Sequence, residues 1–308
     1  MRLTRRGLQL ALGLFWLLDA ALQFQPAMFT RSFPDQILAP AAQGNPAWVA
    51  TPVSWSARLI AEHAALSNGA FAVIQLLIAL AILWRPTTRL GLALSVPWAL
   101  AVWWLGEGLG GVLTSAPSAV TGAPGAVILY ALLAVVLWPV PDHPYGGSLA
   151  AASPLGPAVA GLAWVVLWAS LAYDTLLAAS RAGLAASVTG QAAGEPGWLS
   201  ALDASAGRQL AAHGTAVSVI LATAFAAIAV AAVIPAAARP VLAVAVALSL
   251  AIWLVGEDLG GILTGQGTDP NSGPLLVLLA LAYWPRQPGE RLRLAGGWPN
   301  AGALPAPR

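Results

Sequence analysis

Two carboxylates set among glycines are the first residues in this sequence whose types and spacing could do chemistry. GEGLGGVLT runs from Gly106 to Thr114, and GEDLGGILT runs from Gly256 to Thr264. Glu107 and Glu257 each stand at the end of a strongly apolar run. A carboxylate at membrane depth costs a few kcal/mol on insertion scales, so it marks a site with a partner nearby. Such a pair could hold a cation, handle protons or orient a polar solute. Asp258 replaces Gly108 and doubles the charge of the second motif, which makes that half the better candidate for cation or proton handling. Thr114 and Thr264 close the two motifs with hydroxyls. Gly106 with Gly110, and Gly256 with Gly260, make GxxxG steps that predict close helix packing in lipid. Packing alone accounts for the glycines but not for the acids beside them.

The same spacing of 150 positions relates other polar residues. GNPAW at 44–48 answers GEPGW at 194–198, Arg58 answers Arg208, His63 answers His213, and Arg89 answers Arg239. Internal self-similarity of this length is the sequence signature of a duplicated unit. The register then slips by four residues, and Trp138-Pro139 answers Trp284-Pro285. His63 and His213, at equal depth, could face each other across the axis and bind a haem iron or another metal together with Glu107 and Glu257. The plainer reading is hydrogen-bonded structure near a helix end. Arg58 and Arg208 suit anion recognition, against which stands snorkelling to outer headgroups. The candidate binding set is therefore Glu107, Glu257, Asp258, Arg58, Arg208, His63, His213, Thr114 and Thr264. No residue is assigned a catalytic or metal-ligating role, and no cofactor is indicated beyond the haem or metal option at His63 and His213.

The elements that must position these residues follow from composition. Of 308 residues, 58% are hydrophobic and 8% charged, too little polar surface to cover a water-soluble globule. The expected fold is all-α: a polytopic membrane protein of about eight helices forming two parallel four-helix repeats. Apolar runs fall near 8–25, 64–84, 89–113, 124–138, 155–178, 210–234, 240–263 and 274–284. The last run of each half is too short to span alone at 1.5 Å per residue. Matched short, Gly/Pro-interrupted segments in two repeats point to a binding site. The loops TSAPSAVTGAPG and TGQGTDPNSG are expected to dip inward and meet those helices, whose N-termini at Pro124 and Pro274 would aim positive dipole ends into a shared cavity.

The chain divides into a first four-helix repeat over 1–138, a Pro/Gly/Ser-rich linker over 139–157, a second repeat over 158–285 and a cytoplasmic tail over 286–308. Four crossings per half place both halves in the same orientation. With both termini cytoplasmic, ten arginines lie inside against four outside, a positive-inside bias that predicts a multi-pass protein of the plasma (inner) membrane. MRLTRRGLQLALGLFW resembles an export signal, but GLFW at 13–16 is answered by GLAW at 161–164, so the first segment is expected to be a retained helix. The absence of cysteine removes disulfide, thiolate-metal and iron–sulfur chemistry by this chain. All 14 basic residues are Arg, spread over loops, which argues against nucleic acid as a partner. The lipid bilayer and a small molecule or ion remain as partners; the sequence names no protein partner.

Each half resembles the DoxX-like four-helix bacterial membrane family, with RRGLQLALGLFWLLDAALQFQP and NGAFAVIQLLIALAILWRPTTRLGLALSVPWAL carrying the likeness over about a hundred residues. The resemblance implies a duplicated four-helix layout. The GE-x-LGG-x-LT signature is not part of that family's pattern. Three classes of function stay open: a small-molecule or ion permease or binder with an outward-facing cavity between the repeats, a haem- or quinone-linked redox protein, and a structural or accessory subunit.

Overall fold

In the computed structural model, residues 4–114, 117–139, 152–179, 194–232 and 236–285, with Ala185, Val188 and Ile234, are described. Among them there is no strand, and nine α-helices follow in order: α1 Arg5–Leu22, α2 Ala47–Glu62, α3 Ala64–Leu83, α4 Thr88–Leu105, α5 Ala126–Val136, α6 Ala152–Ala179, α7 Gly197–Ala231, α8 Ala238–Val255 and α9 Ser272–Ala282. Within α6 the backbone leaves helical values at Gly156, so the regular helix starts at Pro157, where a ring-fixed φ suits a first turn. The expected tail at 286–308, and all of the linker except Pro139 and residues 152–157, lie outside the described residues.

Five helices are long and apolar enough to cross a membrane: Ala64–Leu83, Arg85–Leu105, Pro154–Leu177, Gly197–Ala231 and Ala238–Thr264. The expectation of about eight crossings is met only to that extent. The last helices of the two halves, α5 and α9, have 11 residues each, or roughly 16 Å. The surface of the long helices is apolar: Leu66, Val73 and Leu77 on α3, Val166 on α6 and Ile220 on α7 are all exposed. Contiguous greasy surface of this kind suits lipid and not water.

The segments before the apolar spans at 64–83 and 214–231 are amphipathic. In α2 the residues Val49, Val53 and Ala57 are buried while Trp48 and Trp55 are exposed, and α7 opens with buried Leu199, Asp203 and Gly207 and exposed Trp198. Spacing of about four places each buried set on one face. Both segments end at a histidine: φ is −137° at His63 and −133° at His213, and the chain bends there into the apolar span. At 35 residues α7 would measure roughly 52 Å if straight, and the bend divides it into an amphipathic segment and an apolar one.

The core gathers around the two short helices. Leu129, Tyr130 and Leu133 of α5, and Leu275, Leu278 and Leu279 of α9, are almost wholly buried, and α5 touches α9. Packing then crosses between the halves. The α1 helix lies along α3 but also reaches α9, and α6 lies along α7 but also reaches α5. Trp16 stacks on Tyr130 with ring centroids 4.4 Å apart, and Trp164 on Tyr283 at 4.8 Å. Both indoles keep their polar end satisfied, Trp16 Nε1 donating to Ser95 Oγ and Trp164 Nε1 to the Ile228 carbonyl, each at 3.1 Å.

Candidate functional site

Each GE-x-LGG motif begins where a long helix stops. Helix α4 ends at Leu105 and α8 at Val255, and four consecutive residues in each copy then take positive φ: Gly108, Leu109, Gly110 and Gly111, and Asp258, Leu259, Gly260 and Gly261. The result is a left-handed turn closed by i to i+3 bonds, with Gly110 N donating to Glu107 O at 2.9 Å and Gly260 N to Glu257 O at 2.7 Å. Left-handed backbone costs about 1–2 kcal/mol for a residue with a Cβ, so glycine is the natural occupant, and Leu109 and Leu259 are strained.

The glycines therefore do something other than make a GxxxG helix contact. A Cβ on Gly110 would lie 1.9 Å from the Pro124 carbonyl oxygen, and one on Gly260 2.6 Å from the Pro270 carbonyl carbon. The left-handed turn presses its backbone onto the strand of chain leading into the short helix. Trp103 Nε1 donates to Pro124 O at 2.7 Å, and Trp253 Nε1 to Pro270 O at 2.8 Å, holding the same stretch of chain.

This geometry delivers each glutamate to a helix N-terminus. Glu107 Oε1 accepts from Val127 N at 3.3 Å in the first turn of α5. Glu257 Oε2 accepts from Gly273 N at 2.8 Å in the first turn of α9, and its Oε1 accepts from Ser272 Oγ. The first backbone N–H groups of a helix have no internal partner and carry the positive end of the dipole, so a carboxylate there is both paired and electrostatically favoured. The expected dipole ends are present, but each is answered by a glutamate and not left open. Glu257 has both oxygens engaged, whereas Glu107 Oε2 is buried without a hydrogen-bond partner among the described residues.

Both motifs open on one cavity of about 710 Å³. Its lining includes Glu107, Glu257, Asp269, Thr114 and Thr264, and it contains no Lys, Arg, His or aromatic residue among the described positions. Asp269 is held by Thr268 Oγ1 at 2.9 Å and by Asn271 N at 2.7 Å. Burial raises its carboxyl above the usual range, and those two hydrogen bonds act the other way. Gln266, exposed at the lining, marks where the cavity meets the surface. The walls come from both halves: Gln25 Nε2 donates to Gly267 O at 2.8 Å, and Gly122 lies so close to Asn271 that a Cβ would sit 2.7 Å from its Oδ1.

Of the nine residues singled out from the sequence, Glu107, Glu257, Thr114 and Thr264 line this cavity. Thr114 and Thr264 each donate Oγ1 to the glycine carbonyl three residues back, at 2.7 Å. Arg58 and Arg208 do not line it; both are exposed on their amphipathic segments, where a long charged side chain reaches headgroups or water. His63 and His213 are exposed at the bends and also stand outside the cavity. Asp258 is 2% exposed but turns away from the cavity toward Asp203 and Glu195. Burial, with Asp203 and Asp258 alongside, raises the Glu195 carboxyl well above its ordinary value.

Sequence reasoning missed Trp103 and Trp253, which share the 150-residue spacing and so were detectable, and it missed Asp269, Asn271 and Ser272, which lie where the register slips. No protein-family model, curated protein or solved structure matches the chain.

Proposed function

We propose that this chain is a multi-pass inner-membrane protein built from two parallel four-helix repeats, whose shared outward-facing cavity binds or conducts a small cationic or hydrogen-bond-donating solute. One observation carries the reading: the 710 Å³ cavity is lined by Glu107, Glu257 and Asp269 with no basic side chain among its described lining residues. The volume falls in the range of small-molecule sites, and an acidic lining in a low-dielectric wall attracts positive charge. The free Oε2 of Glu107 is an acceptor waiting for a donor.

The repeat reading is supported by paired geometry. The left-handed turns, the indole bonds to Pro124 and Pro270, the glutamate caps and the histidine bends each occur twice at matching positions. A duplicated DoxX-like layout is compatible with that pairing and belongs to the same proposal. The orientation with both termini cytoplasmic rests on the arginine bias. The accessory-subunit reading is favoured by one fact, that both oxygens of Glu257 are spent on the start of α9. The redox reading gains no support from the described lining residues, among which there is no histidine or aromatic side chain.

The test is uptake and binding by the purified protein. Reconstituted vesicles are offered a panel of monovalent cations and small primary amines, with thermal shift in detergent as the binding readout. Wild type should respond saturably to at least one member, and Glu107→Gln and Asp269→Asn should weaken that response tenfold or more. A wild-type protein that neither binds nor moves any member, while remaining folded, would leave the accessory role standing.

A further inference from the structure

Outside the cavity, three acidic side chains meet behind the second motif. Glu195 precedes α7, Asp203 lies two turns into it, and Asp258 begins the left-handed turn after α8. One carboxylate oxygen from each lies within 4.8 Å of the others. Asp203 is 0% exposed and Asp258 2%, and all six oxygens of the three carboxylates are buried without a hydrogen-bond partner among the described residues. Carboxylates this close cannot all stay ionised without a positive charge among them. Glu195 as a residue is only partly buried, although its carboxylate oxygens are covered.

The first half shows what these positions are without acids. At the same 150-residue spacing, Asn45 stands for Glu195, Val53 for Asp203 and Gly108 for Asp258. Val53 is wholly buried on the inward stripe of α2, the position an apolar residue should take. Asp203 occupies that same stripe of α7, between buried Leu199 and Gly207. Gly108 has positive φ, and a Cβ there would lie 2.2 Å from Ala41 O. Asp258 keeps the positive φ, at 49°, although it carries a side chain. Three changes to acid, scattered over 64 positions of sequence from 195 to 258, converge on one point in space.

We infer that Glu195, Asp203 and Asp258 form a binding site for a hard divalent cation of the calcium class, tying the loop before α7 to the second GE-x-LGG turn. An all-carboxylate set without His or Cys suits calcium and its hard relatives, not zinc or copper. Calcium takes oxygens at 2.3–2.6 Å, so ligands on opposite sides of one ion stand about 5 Å apart, which matches the observed grouping. Up to six carboxylate oxygens are on hand, within the six to eight that calcium takes. The site lies next to Glu257, so the cation would steady the second motif from behind the cavity, with the first motif needing none.

The experiment uses the full chain in detergent, stripped with EDTA and titrated with calcium chloride at constant ionic strength, read by calorimetry and thermal shift. Wild type should bind about one equivalent, with a Tm rise of about 5 °C at a hundredfold excess over Kd. The combined variant Glu195→Asn, Asp203→Val, Asp258→Gly restores the first-half residues, so it should fold and show no calcium response. Glu107→Gln should keep the calcium response in full, which separates this site from the cavity. Loss of the response in Glu107→Gln with retention in the combined variant would place the ion in the cavity and overturn the inference. So would a wild-type Tm that calcium moves no more than sodium does at equal ionic strength, the three carboxyls then sharing protons. Should the combined variant fail to fold, Asp258→Gly alone, which suits the local backbone, must lower calcium affinity tenfold or more.

Discussion

Glu257 reaches 16 residues forward to take the backbone N–H of Gly273 at 2.8 Å, and Glu107 reaches 20 residues forward to take that of Val127. The difference of four is the same four residues by which the second loop is shorter. Each glutamate is thus a cap donated from a distance, joining a left-handed turn to the start of a short helix. The loops between them can change length without moving the carboxylate from its helix end. That relation explains why an acid recurs among glycines: the glycines bring the turn close, and the acid satisfies the helix end it meets.

The two caps are not equivalent. Glu257 bonds Ser272 Oγ and Gly273 N, whereas Glu107 Oε1 takes the longer bond from Val127 N and its Oε2 has no hydrogen-bond partner among the described residues. Glu257→Gln should therefore cost about 1–3 kcal/mol of stability, and Glu107→Gln under about 1 kcal/mol. Thermal melts of the two variants in one detergent decide the point. Equal losses would mean that the free oxygen of Glu107 has no bearing on its role.

Glycine at the centre of each turn has two reasons to resist change, its positive φ and its contact with facing backbone. Gly110→Ala and Gly260→Ala should each cost about 2–4 kcal/mol, the former more, since its Cβ would lie 1.9 Å from Pro124 O. Gly197→Ala, with open space around it and an ordinary φ, should be neutral within about 0.5 kcal/mol. Melts that fail to separate Gly110 from Gly197 would remove the close-approach account.

The all-helical character and the location of the acids were legible because composition and a repeat survive in sequence. The long spans over 64–83 and 238–255 follow from uninterrupted apolar runs. What the motif does was not legible. Glycines four apart read as a helix contact, but at Gly108 to Gly111 the chain has already left the helix for left-handed backbone, a choice set by the facing Pro124 carbonyl. Nor could spacing show that Asp258 turns its back on Glu257, because that depends on Asp203 and Glu195 arriving from another helix. Arg58 and His63 recur in sequence yet sit on the exposed side of their segment and its bend, so recurrence marked the fold of that segment and not the cavity.

The indoles of Trp103 and Trp253 hold the chain that enters the short helices. Trp→Phe keeps an aromatic six-membered ring but removes the pyrrole ring with its donor, leaving the Pro124 or Pro270 carbonyl without its partner. Each change should cost about 1–2 kcal/mol. Trp55→Phe, on an exposed face, should cost under about 0.5 kcal/mol. Chemical-melt midpoints for the three variants test this, and a Trp55 variant as unstable as the others would point to ring packing instead.

The last prediction concerns which side each part faces. One crossing, Ala64–Leu83, separates Trp48 from Arg85, and the apolar part of α7 after the His213 bend separates Trp198 from Ala236. Twenty residues of α3 measure about 30 Å, one hydrocarbon thickness. The matched segments α2 and α7 carry Trp48 and Trp198 exposed at equivalent places, as interfacial anchors do. The arginine bias gives the expected sign, since Arg85, Arg89 and Arg239 lie at the ends opposite Trp48 and Trp198. The chain has no cysteine, so each introduced one reports alone. In intact cells an impermeant maleimide should label cysteines placed at Trp48, Trp198 and Gln266, the last at the cavity mouth, and should reach those at Arg85 and Ala236 only after lysis. Labelling of Trp48 and Trp198 from opposite sides would refute parallel repeats, and labelling of Gln266 only after lysis would turn the cavity inward.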